Sequence, residues 1–525
     1  MDSKPSIMSS STAFQWFSLV AVILLQSING TNSNFPAYSS ELKQILSLTQ
    51  VELNNLAFAS DAGKLLGWFS GIAAVYLPLW VVLMIGSLLG LIGYGFQYLY
   101  LSHHIGSLSY WNFFVLTIIA GNSICWINTV SYIVSVRNFP FQREVAVGLT
   151  TSYIGLSPVI YTAIVNALSS TLFRRSEHYL LLNSILPLIA AVIASPFIRN
   201  IDIGSAKKQE VGFMVVSMIT IGTGVYAIVI SLGESSLSPF LNMIGMVLCL
   251  LAPVIVPLAE CLKGLVMKIS ETRQRVTDVY AHDQAVVVVE KGMKEEADTI
   301  MDLSVLATME EARATSMIRR LNFWLYFFVY LSGATLGLVY LNNLGQIAES
   351  RGCTSVTSLV SVSSAFGFFG RLFPCLQHYL YLRSKHRVSG PASILAMMVP
   401  ISGAFFLLLN GSSVTLYIST AIIGACTGAI TTIAVSVTTE LFGIKNFGVN
   451  HNVVVANIPI GSFLFGYLAA HVYREERHGQ PICMGLDCYR SSFVLWGCLC
   501  SFGTVLAVIL HIRTRKFYST PSSTR

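Results

Sequence analysis

Two cations and one carboxylate stand inside stretches of sequence that are otherwise apolar. Asp61 and Lys64 lie in ASDAGKLLGWFSG, residues 59–71, and Arg371 lies in GRLFP, residues 370–374. A charge at the middle of a membrane helix costs about 2.5–3.5 kcal/mol on insertion scales, so such residues normally face protein or a solute path. The arginine fork also suits a carboxylate, which it binds through two parallel hydrogen bonds. We therefore predict that Lys64 and Arg371 face a shared central cavity and bind an anionic group such as a carboxylate.

The role of Asp61 has two readings, because it lies three residues before Lys64 and within pairing distance on a helix. In one, the two charges form a neutral pair that only holds the helix. In the other, protonation of Asp61 releases Lys64 and couples transport to protons. Arg371 has no acidic residue within one turn in sequence, which leaves it freer to meet a ligand. One predicted helical stripe carries Asn54, Ala57, Asp61, Lys64, Trp68 and Gly71.

The elements that must position these charges are membrane-spanning helices. The 525 residues are 54% hydrophobic and only 11% charged, with a mean hydropathy of +0.66. Windows of about 20 mostly apolar residues, enough to cross a bilayer as a helix, recur along the chain. The sequence therefore predicts an all-α polytopic membrane protein. Its fourteen predicted spans are 14–34, 51–75, 77–101, 111–136, 142–168, 178–199, 209–233, 238–262, 320–344, 355–382, 391–411, 413–440, 446–473 and 491–513.

The first span has an alternative reading as a signal peptide, because Lys4 precedes a short apolar core that small residues follow. Its removal would leave thirteen spans and place the two ends of the chain on opposite sides of the membrane. We therefore treat residues 14–34 as a transmembrane helix.

The distribution of Lys and Arg predicts the orientation, because these residues accumulate in loops retained in the cytoplasm. Both termini and the loop at 263–318 are predicted to be cytoplasmic, in the plasma membrane or an endomembrane. The net charge of +7 is then a topology signal and gives no reason to expect nucleic acid as a partner. The basic residues of the predicted inner side outside that loop are Lys4, Arg137, Arg143, Arg199, Lys207, Lys208, Arg383, Lys385, Arg387, Lys445, Arg513, Arg515, Lys516 and Arg525.

The long loop divides the chain into two parts that resemble each other weakly. GKLLG at 63–67 and GRLFP at 370–374 occupy corresponding places, each in the second span of a group of six. Repeated bundles with a site near the membrane midplane are typical of transporters. The predicted units are a six-helix bundle at 1–200, an inserted helix pair at 201–262, a cytoplasmic linker at 263–318, a second six-helix bundle at 319–515 and a cytoplasmic tail at 516–525.

Other candidate chemistry is sparse. No zinc-ligand spacing, phosphate-binding glycine loop or nucleophile motif stands out, so we expect no metal, no cofactor and no enzyme activity. Cys483 and Cys488 lie five residues apart in a predicted outer loop. The sequence favours a disulfide between them and two free thiols equally. His451 also has two readings, as a helix-end histidine satisfied by its neighbours or as a residue that reaches the cavity.

Several motifs together give the chain a resemblance to a known family. They include ASDAGK, GNSICWINTVSYIVSVRNFPFQREVAVGL, NNLGQI and CMGLDCYRSSFVLWG. The chain resembles plant nodulin-like proteins of the nuclear fusion defective type, a branch of the major facilitator superfamily related in pattern to monocarboxylate and oxalate/formate porters. The resemblance implies a two-bundle fold with about 12–14 transmembrane helices and a substrate-binding role for Arg371. The acidic–basic signature of that superfamily is degraded, since Gln377 and His378 stand where an acidic residue is expected.

Two functions from different classes follow from these features. The first is secondary active transport of a small solute, an organic anion such as a carboxylate, by alternating access between two bundles. The second is a membrane receptor or scaffold that keeps a transporter fold without transporting. The repeat and the intramembrane charges favour transport, whereas the degraded signature favours the second. A small solute and the lipid bilayer are the partners that the sequence indicates.

The predicted orientation is testable with an epitope tag inserted near Lys291 in the long loop. Because that loop is predicted to be cytoplasmic, antibody should reach the tag only after the cells are permeabilised. A matched tag near Gly479, in a predicted outer loop, should be labelled on intact cells that carry the protein at their surface. Labelling of the Lys291 tag on intact cells would contradict the topology.

Overall fold

A computed structural model of the chain describes residues 5–168, 175–201, 209–231, 237–280, 312–353, 356–381, 388–476 and 483–519. Most of the predicted linker, residues 281–311, lies outside the described residues. The last six residues of the predicted tail, 520–525, also lie outside them. Throughout the described ranges the regular structure is helical.

The first half of the chain and the inserted pair contain eleven described helices. Single 3₁₀ turns at Gly63–Leu66 and Ala252–Val254 connect α3 to α4 and α10 to α11. The helices are α1 (Pro5–Ile28), α2 (Phe35–Ile45), α3 (Gln50–Ala62), α4 (Trp68–Tyr76), α5 (Leu79–Leu101), α6 (Tyr110–Asn138), α7 (Arg143–Leu168), α8 (Arg175–Ala194), α9 (Glu210–Ser231), α10 (Pro239–Leu251) and α11 (Ile255–Tyr280).

The second half contains a further eleven helices in the described ranges. A π-helical turn at Leu331–Thr335 joins α13 to α14. The helices are α12 (Ala314–Ile318), α13 (Leu321–Tyr330), α14 (Leu336–Asn342), α15 (Leu344–Ser350), α16 (Val356–Arg371), α17 (Phe373–Tyr381), α18 (Gly390–Leu407), α19 (Ser413–Phe442), α20 (Phe447–Val455), α21 (Asn457–Glu476) and α22 (Asp487–Ser519).

Thirteen helical segments of the described chain are long and apolar enough to cross a membrane, which makes this a multi-pass membrane protein. They coincide with every predicted span except 51–75. Residues 51–75 are helical as predicted but form two helices, α3 and α4, with the 3₁₀ turn Gly63–Leu66 between them, and Glu52, Asp61 and Lys64 make this segment less apolar than the thirteen others. Helix α11 also runs past the predicted boundary at 262, since residues 265–280 contain no proline or glycine that would end it.

The helices form two bundles, each with its own apolar interior. In the first, α5 packs against α6 and α8, and α1 packs against α7. In the second, α16 and α18 pack against α19, and α18 also packs against α22. Helix α1 belongs to the first interior, since Trp16 and Leu25 are buried. Residues 14–34 are therefore a structural part of the bundle.

The inserted helix α9 contacts both bundles along one side of the molecule. Its Thr220 hydroxyl hydrogen-bonds the Tyr153 hydroxyl of α7 at 3.2 Å. Its Ser231 donates a hydrogen bond to Ser361 of α16, and its Gly224 lies against the ring of Phe368 on the same helix. The inserted helix thus spans the seam between α7 and α16.

Glycines let the helices that carry the two cations approach their neighbours backbone to backbone. A Cβ atom at Gly63 would collide with the Ile118 carbonyl of α6, and one at Gly370 would collide with the Ala425 carbonyl of α19. The glycine that precedes each cation therefore faces a neighbouring helix. Because successive helical residues differ by about 100° around the axis, the following cation is turned away from that contact. In both bundles, a glycine that packs against a neighbouring helix thus fixes the position of the cation that follows it.

The structure joins Cys483 and Cys488 in a disulfide, and both residues are buried. They lie beside the start of α22, where the Cys483 amide donates to the Tyr473 hydroxyl at 3.1 Å. The other eight cysteines are unpaired and lie in the described residues.

The backbone contact at Gly370 is testable through Gly370→Val. The added methyl groups must displace the α19 backbone, and overpacking of this kind costs about 1–3 kcal/mol. We expect a lower thermal midpoint of the purified protein in detergent. Gly403→Val in α18 is the matched control, because a Cβ there has no atom within 4 Å. Equal thermal midpoints for the two variants would show that the close approach is not required.

Candidate functional site

Two adjoining cavities lie between the bundles and together form what we call the central cavity. Lys64 of the first bundle and Arg371 of the second are in the walls of both. The residues common to both walls are Asn32, Ser33, Lys64, Ile154, Leu338 and Arg371. The structure thus brings together the two cations that the sequence singled out. Their binding of a ligand stays a prediction.

Lys64 is paired with Asp61 and not free. Its Nζ lies 2.6 Å from Asp61 Oδ1, and both side chains are buried. The second carboxylate oxygen of Asp61 accepts hydrogen bonds from Ser462 Oγ at 2.8 Å and from Asn342 Nδ2 at 3.2 Å. Because Ser462 and Asn342 belong to the second bundle, the Asp61 carboxylate joins the bundles as well as neutralising Lys64. The Asp61–Lys64 pair therefore also contributes to the contact between the two bundles.

Arg371 differs from Lys64 in having no acidic partner in the described chain. Its Nη1 donates to the carbonyl of Gly367, one turn earlier on α16, at 3.2 Å. Tyr132 and Tyr330 line the same cavity as Arg371. A guanidinium has five N–H donors, so the bond to the Gly367 carbonyl uses only one of them, and Arg371 lines the central cavity.

The cavity also contains neutral polar residues that the sequence did not single out. Asn128 and Tyr132 lie one turn apart on α6, and Asn29 Nδ2 donates to Asn128 Oδ1 at 2.9 Å. Tyr330 lies in the second bundle, immediately before the π-helical turn at Leu331–Thr335. Such turns are frequent at functional sites because they redirect the side chains beside them. The spacing of Asn128 and Tyr132 was visible in sequence, but which face of α6 meets the cavity was not.

The structure agrees with both interpretations of His451, as a histidine satisfied by its neighbours and as a residue that reaches the cavity. Its Nδ1 lies 3.2 Å from Thr438 Oγ1, its ring stacks on Phe447, and the residue lines the central cavity. The predicted stripe of α3 and α4, in contrast, does not continue along the cavity. Trp68 and Gly71 are absent from its walls, and Trp68 stacks on Phe69. The described residues contain no cluster of His, Cys, Asp and Glu that could hold a metal ion.

The bundles also meet at the face where α1 begins. There Arg143 Nη2 of α7 lies 3.8 Å from Glu440 Oε1 of α19, and Gly71 of α4 touches the backbone of Gly448 in α20. The residue at the degraded signature, Gln377, makes a hydrogen bond of 2.8 Å with Ser393 within its own bundle. The ion pair that joins the bundles at this face is therefore formed by α7 and α19, and Gln377 of α17 takes no part in it.

At the opposite face, a second set of contacts joins the bundles. Gln346 Nε2 donates to Asn54 Oδ1 at 2.8 Å, and the rings of Phe58 and Phe463 lie 5.3 Å apart. Asp61 completes this set through Ser462 and Asn342. The central cavity thus lies between contacts at both faces.

Comparison with known proteins identifies the family. A nodulin-like family model matches residues 15–258, and the NFD4 C-terminal domain model matches residues 305–520. The protein NUCLEAR FUSION DEFECTIVE 4 of Arabidopsis thaliana is 38% identical over 531 residues, which cover 96% of this chain and 89% of that protein. The chain belongs to the nodulin-like family. This confirms the resemblance on which the sequence prediction relied.

Solved structures show the fold of this nodulin-like protein. The proton:xylose symporter XylE of the major facilitator superfamily, bound to 6-bromo-6-deoxy-D-glucose, superposes with a TM-score of 0.54 at 11% identity, over 97% of this chain and 96% of that one. The peptide transporter POT, as its E310Q mutant, gives a TM-score of 0.51 at 12% identity, over 99% of both chains. The predicted two-bundle major facilitator fold is therefore confirmed.

Proposed function

We propose that this nodulin-like protein is a secondary active transporter that carries a small organic anion, such as a carboxylate, by alternating access between its two bundles. The observation that supports the anion most directly is Arg371. It lines a cavity between the bundles and has no acidic partner in the described chain. Arg371 is only partly buried and is open to the cavity, and a bound carboxylate supplies it with a counter-ion of matching geometry.

The charges in the cavity wall favour a monoanion. Asp61 and Lys64 form an ion pair of no net charge, so Arg371 leaves one net positive charge. A single carboxylate neutralises that charge. If Asp61 takes up a proton, Lys64 loses its counter-ion and the cavity attracts anions more strongly. Proton uptake and anion binding are then coupled in the same direction.

Alternating access requires each set of contacts between the bundles to break in turn. The Asp61 carboxylate belongs to the set at one face and also holds Lys64 beside the cavity. Protonation weakens hydrogen bonds to a carboxylate, because the ionised form is the stronger acceptor. Release of Ser462 and Asn342 would therefore open that face at the moment when the cavity becomes more attractive to the anion.

The anion site is testable with Arg371→Lys and Arg371→Ala in proteoliposomes screened with small radiolabelled carboxylates. Arg371→Lys keeps the charge but loses the fork, and a hydrogen bond to a charged group is worth about 1.5–3 kcal/mol, so kcat/KM should fall about 10- to 100-fold. Arg371→Ala should lose uptake, and Lys64→Ala should raise KM.

The matched control is Arg490→Lys, which changes an exposed arginine that is paired with Asp487. Wild-type rate and affinity in Arg371→Ala would refute the site, and a folded wild-type protein that moves no solute in the screen would favour the receptor function.

Proton coupling is testable with Asp61→Asn. The amide keeps hydrogen-bonding capacity toward Ser462 and Asn342 but cannot take up a proton at neutral pH. We expect uptake to lose its stimulation by an inward pH gradient, while exchange of substrate across the membrane without a gradient persists. Asp487→Asn, at an exposed site, should leave the gradient response unchanged. If Asp61→Asn responds to the gradient like the wild type, the coupling role is wrong.

A further inference from the structure

The central cavity contains more neutral hydrogen-bonding capacity than an anion alone requires. Within the described chain, the side-chain amide of Asn32 and the hydroxyls of Tyr132 and Tyr330 make no hydrogen bond to protein, and all three residues line the cavity. Tyr330 is only 3% exposed. Asn32 and Tyr132 are only partly buried, and all three residues line the cavity, so their polar groups are open to it and available to a ligand.

These groups come from both bundles. Tyr330 and Arg371 belong to the second, whereas Asn32, Asn128 and Tyr132 belong to the first. Asn128 receives one hydrogen bond from Asn29 and makes no other in the described residues, so its own N–H donors remain available. The net positive charge of the cavity is therefore supplied by Arg371 of the second bundle, and most of its amide groups by the first.

The composition of the wall discriminates between classes of carboxylate. An aliphatic chain placed against Asn32 and Asn128 would desolvate their amides without replacing the lost hydrogen bonds. A chain that bears hydroxyl groups offers both donors and acceptors to the same amides. Sites built to hydrogen-bond a substrate hydroxyl reject analogues that lack it far more strongly than apolar pockets reject an extra hydroxyl.

We infer that the substrate is a hydroxylated monocarboxylate, whose carboxylate binds Arg371 between the Tyr132 and Tyr330 hydroxyls and whose hydroxyl groups bind Asn32 and Asn128. This inference rests on the proposed anion transport and specifies its substrate class. It also gives a reason for closure of the two bundles around the substrate, because each bundle binds a different part of the same molecule.

The inference is tested by calorimetric binding of three six-carbon probes to the purified full-length protein. Gluconate has the carboxylate and the hydroxyls, hexanoate has only the carboxylate, and sorbitol has only hydroxyls. We expect gluconate to bind at least about tenfold more tightly than either of the others, since several neutral hydrogen bonds of about 0.5–1.5 kcal/mol each are lost with hexanoate. Equal affinities for gluconate and hexanoate would overturn the inference and leave anion transport standing. Sorbitol binding as tight as gluconate would overturn the proposed anion function itself, and binding of none of the three would overturn the inference.

Two variants identify the residues that bind the hydroxyl chain. Asn32→Ala removes a side chain that makes no hydrogen bond in the described protein, so the fold should tolerate it. We expect a loss of gluconate affinity of about three- to tenfold, the value of one neutral hydrogen bond, with hexanoate affinity unchanged. Asn128→Ala should act in the same direction, whereas Arg371→Ala should weaken both anions. Tyr467→Phe, which removes a hydroxyl from a side chain that is 66% exposed, should change neither. An equal loss for both anions in Asn32→Ala would show that its amide does not bind the hydroxyl chain.

Discussion

The desolvation of three charged side chains is the constraint on which the rest of this structure depends. Asp61, Lys64 and Arg371 lie in segments that are otherwise apolar, and a charge in such surroundings is retained only if it is paired or faces a polar space. Lys64 meets this requirement through Asp61. Arg371 meets it by facing a cavity between the bundles. Because Asp61 neutralises Lys64 and no carboxylate of the described chain neutralises Arg371, the cavity has one net positive charge.

The position of these charges depends on glycine contacts. Gly63 and Gly370 let the helices that carry the cations touch α6 and α19 through their backbones. Both helices are interrupted at the cation, by the turn at Gly63–Leu66 in one bundle and by the end of α16 at Arg371 in the other. Interrupted helices at the midplane between repeated bundles are a recurring way to build transporter sites. The weak repeat in the sequence thus corresponds to a repeated local geometry.

Contacts at both faces hold the cavity between the bundles. At one face the Asp61 carboxylate joins three elements, and at the other the Arg143–Glu440 ion pair joins α7 to α19. The inserted helix α9 lies against both α7 and α16, so a rocking motion of the bundles must also change its contacts. Because α16 carries Arg371, the inserted pair is placed to influence the helix that supplies the charge of the cavity.

The sequence by itself determined the membrane class, nearly all of the spans and the identity of the charged residues. Long apolar windows and isolated charges within them are local features, so they can be recognised without any knowledge of how the helices pack. It did not reveal the interruption of the span at 51–75, since the apolar run continues through Gly63–Leu66. Nor did it reveal that Asp61 bonds to Ser462 and Asn342, about four hundred and three hundred residues away in the chain. Tertiary structure decided which faces of α6 and α13 meet the cavity, and therefore that Asn128, Tyr132 and Tyr330 join Arg371 there. The physical reason is that these polar residues sit in helices with polar groups on several sides, and only the packing of the two bundles selects the side that is desolvated.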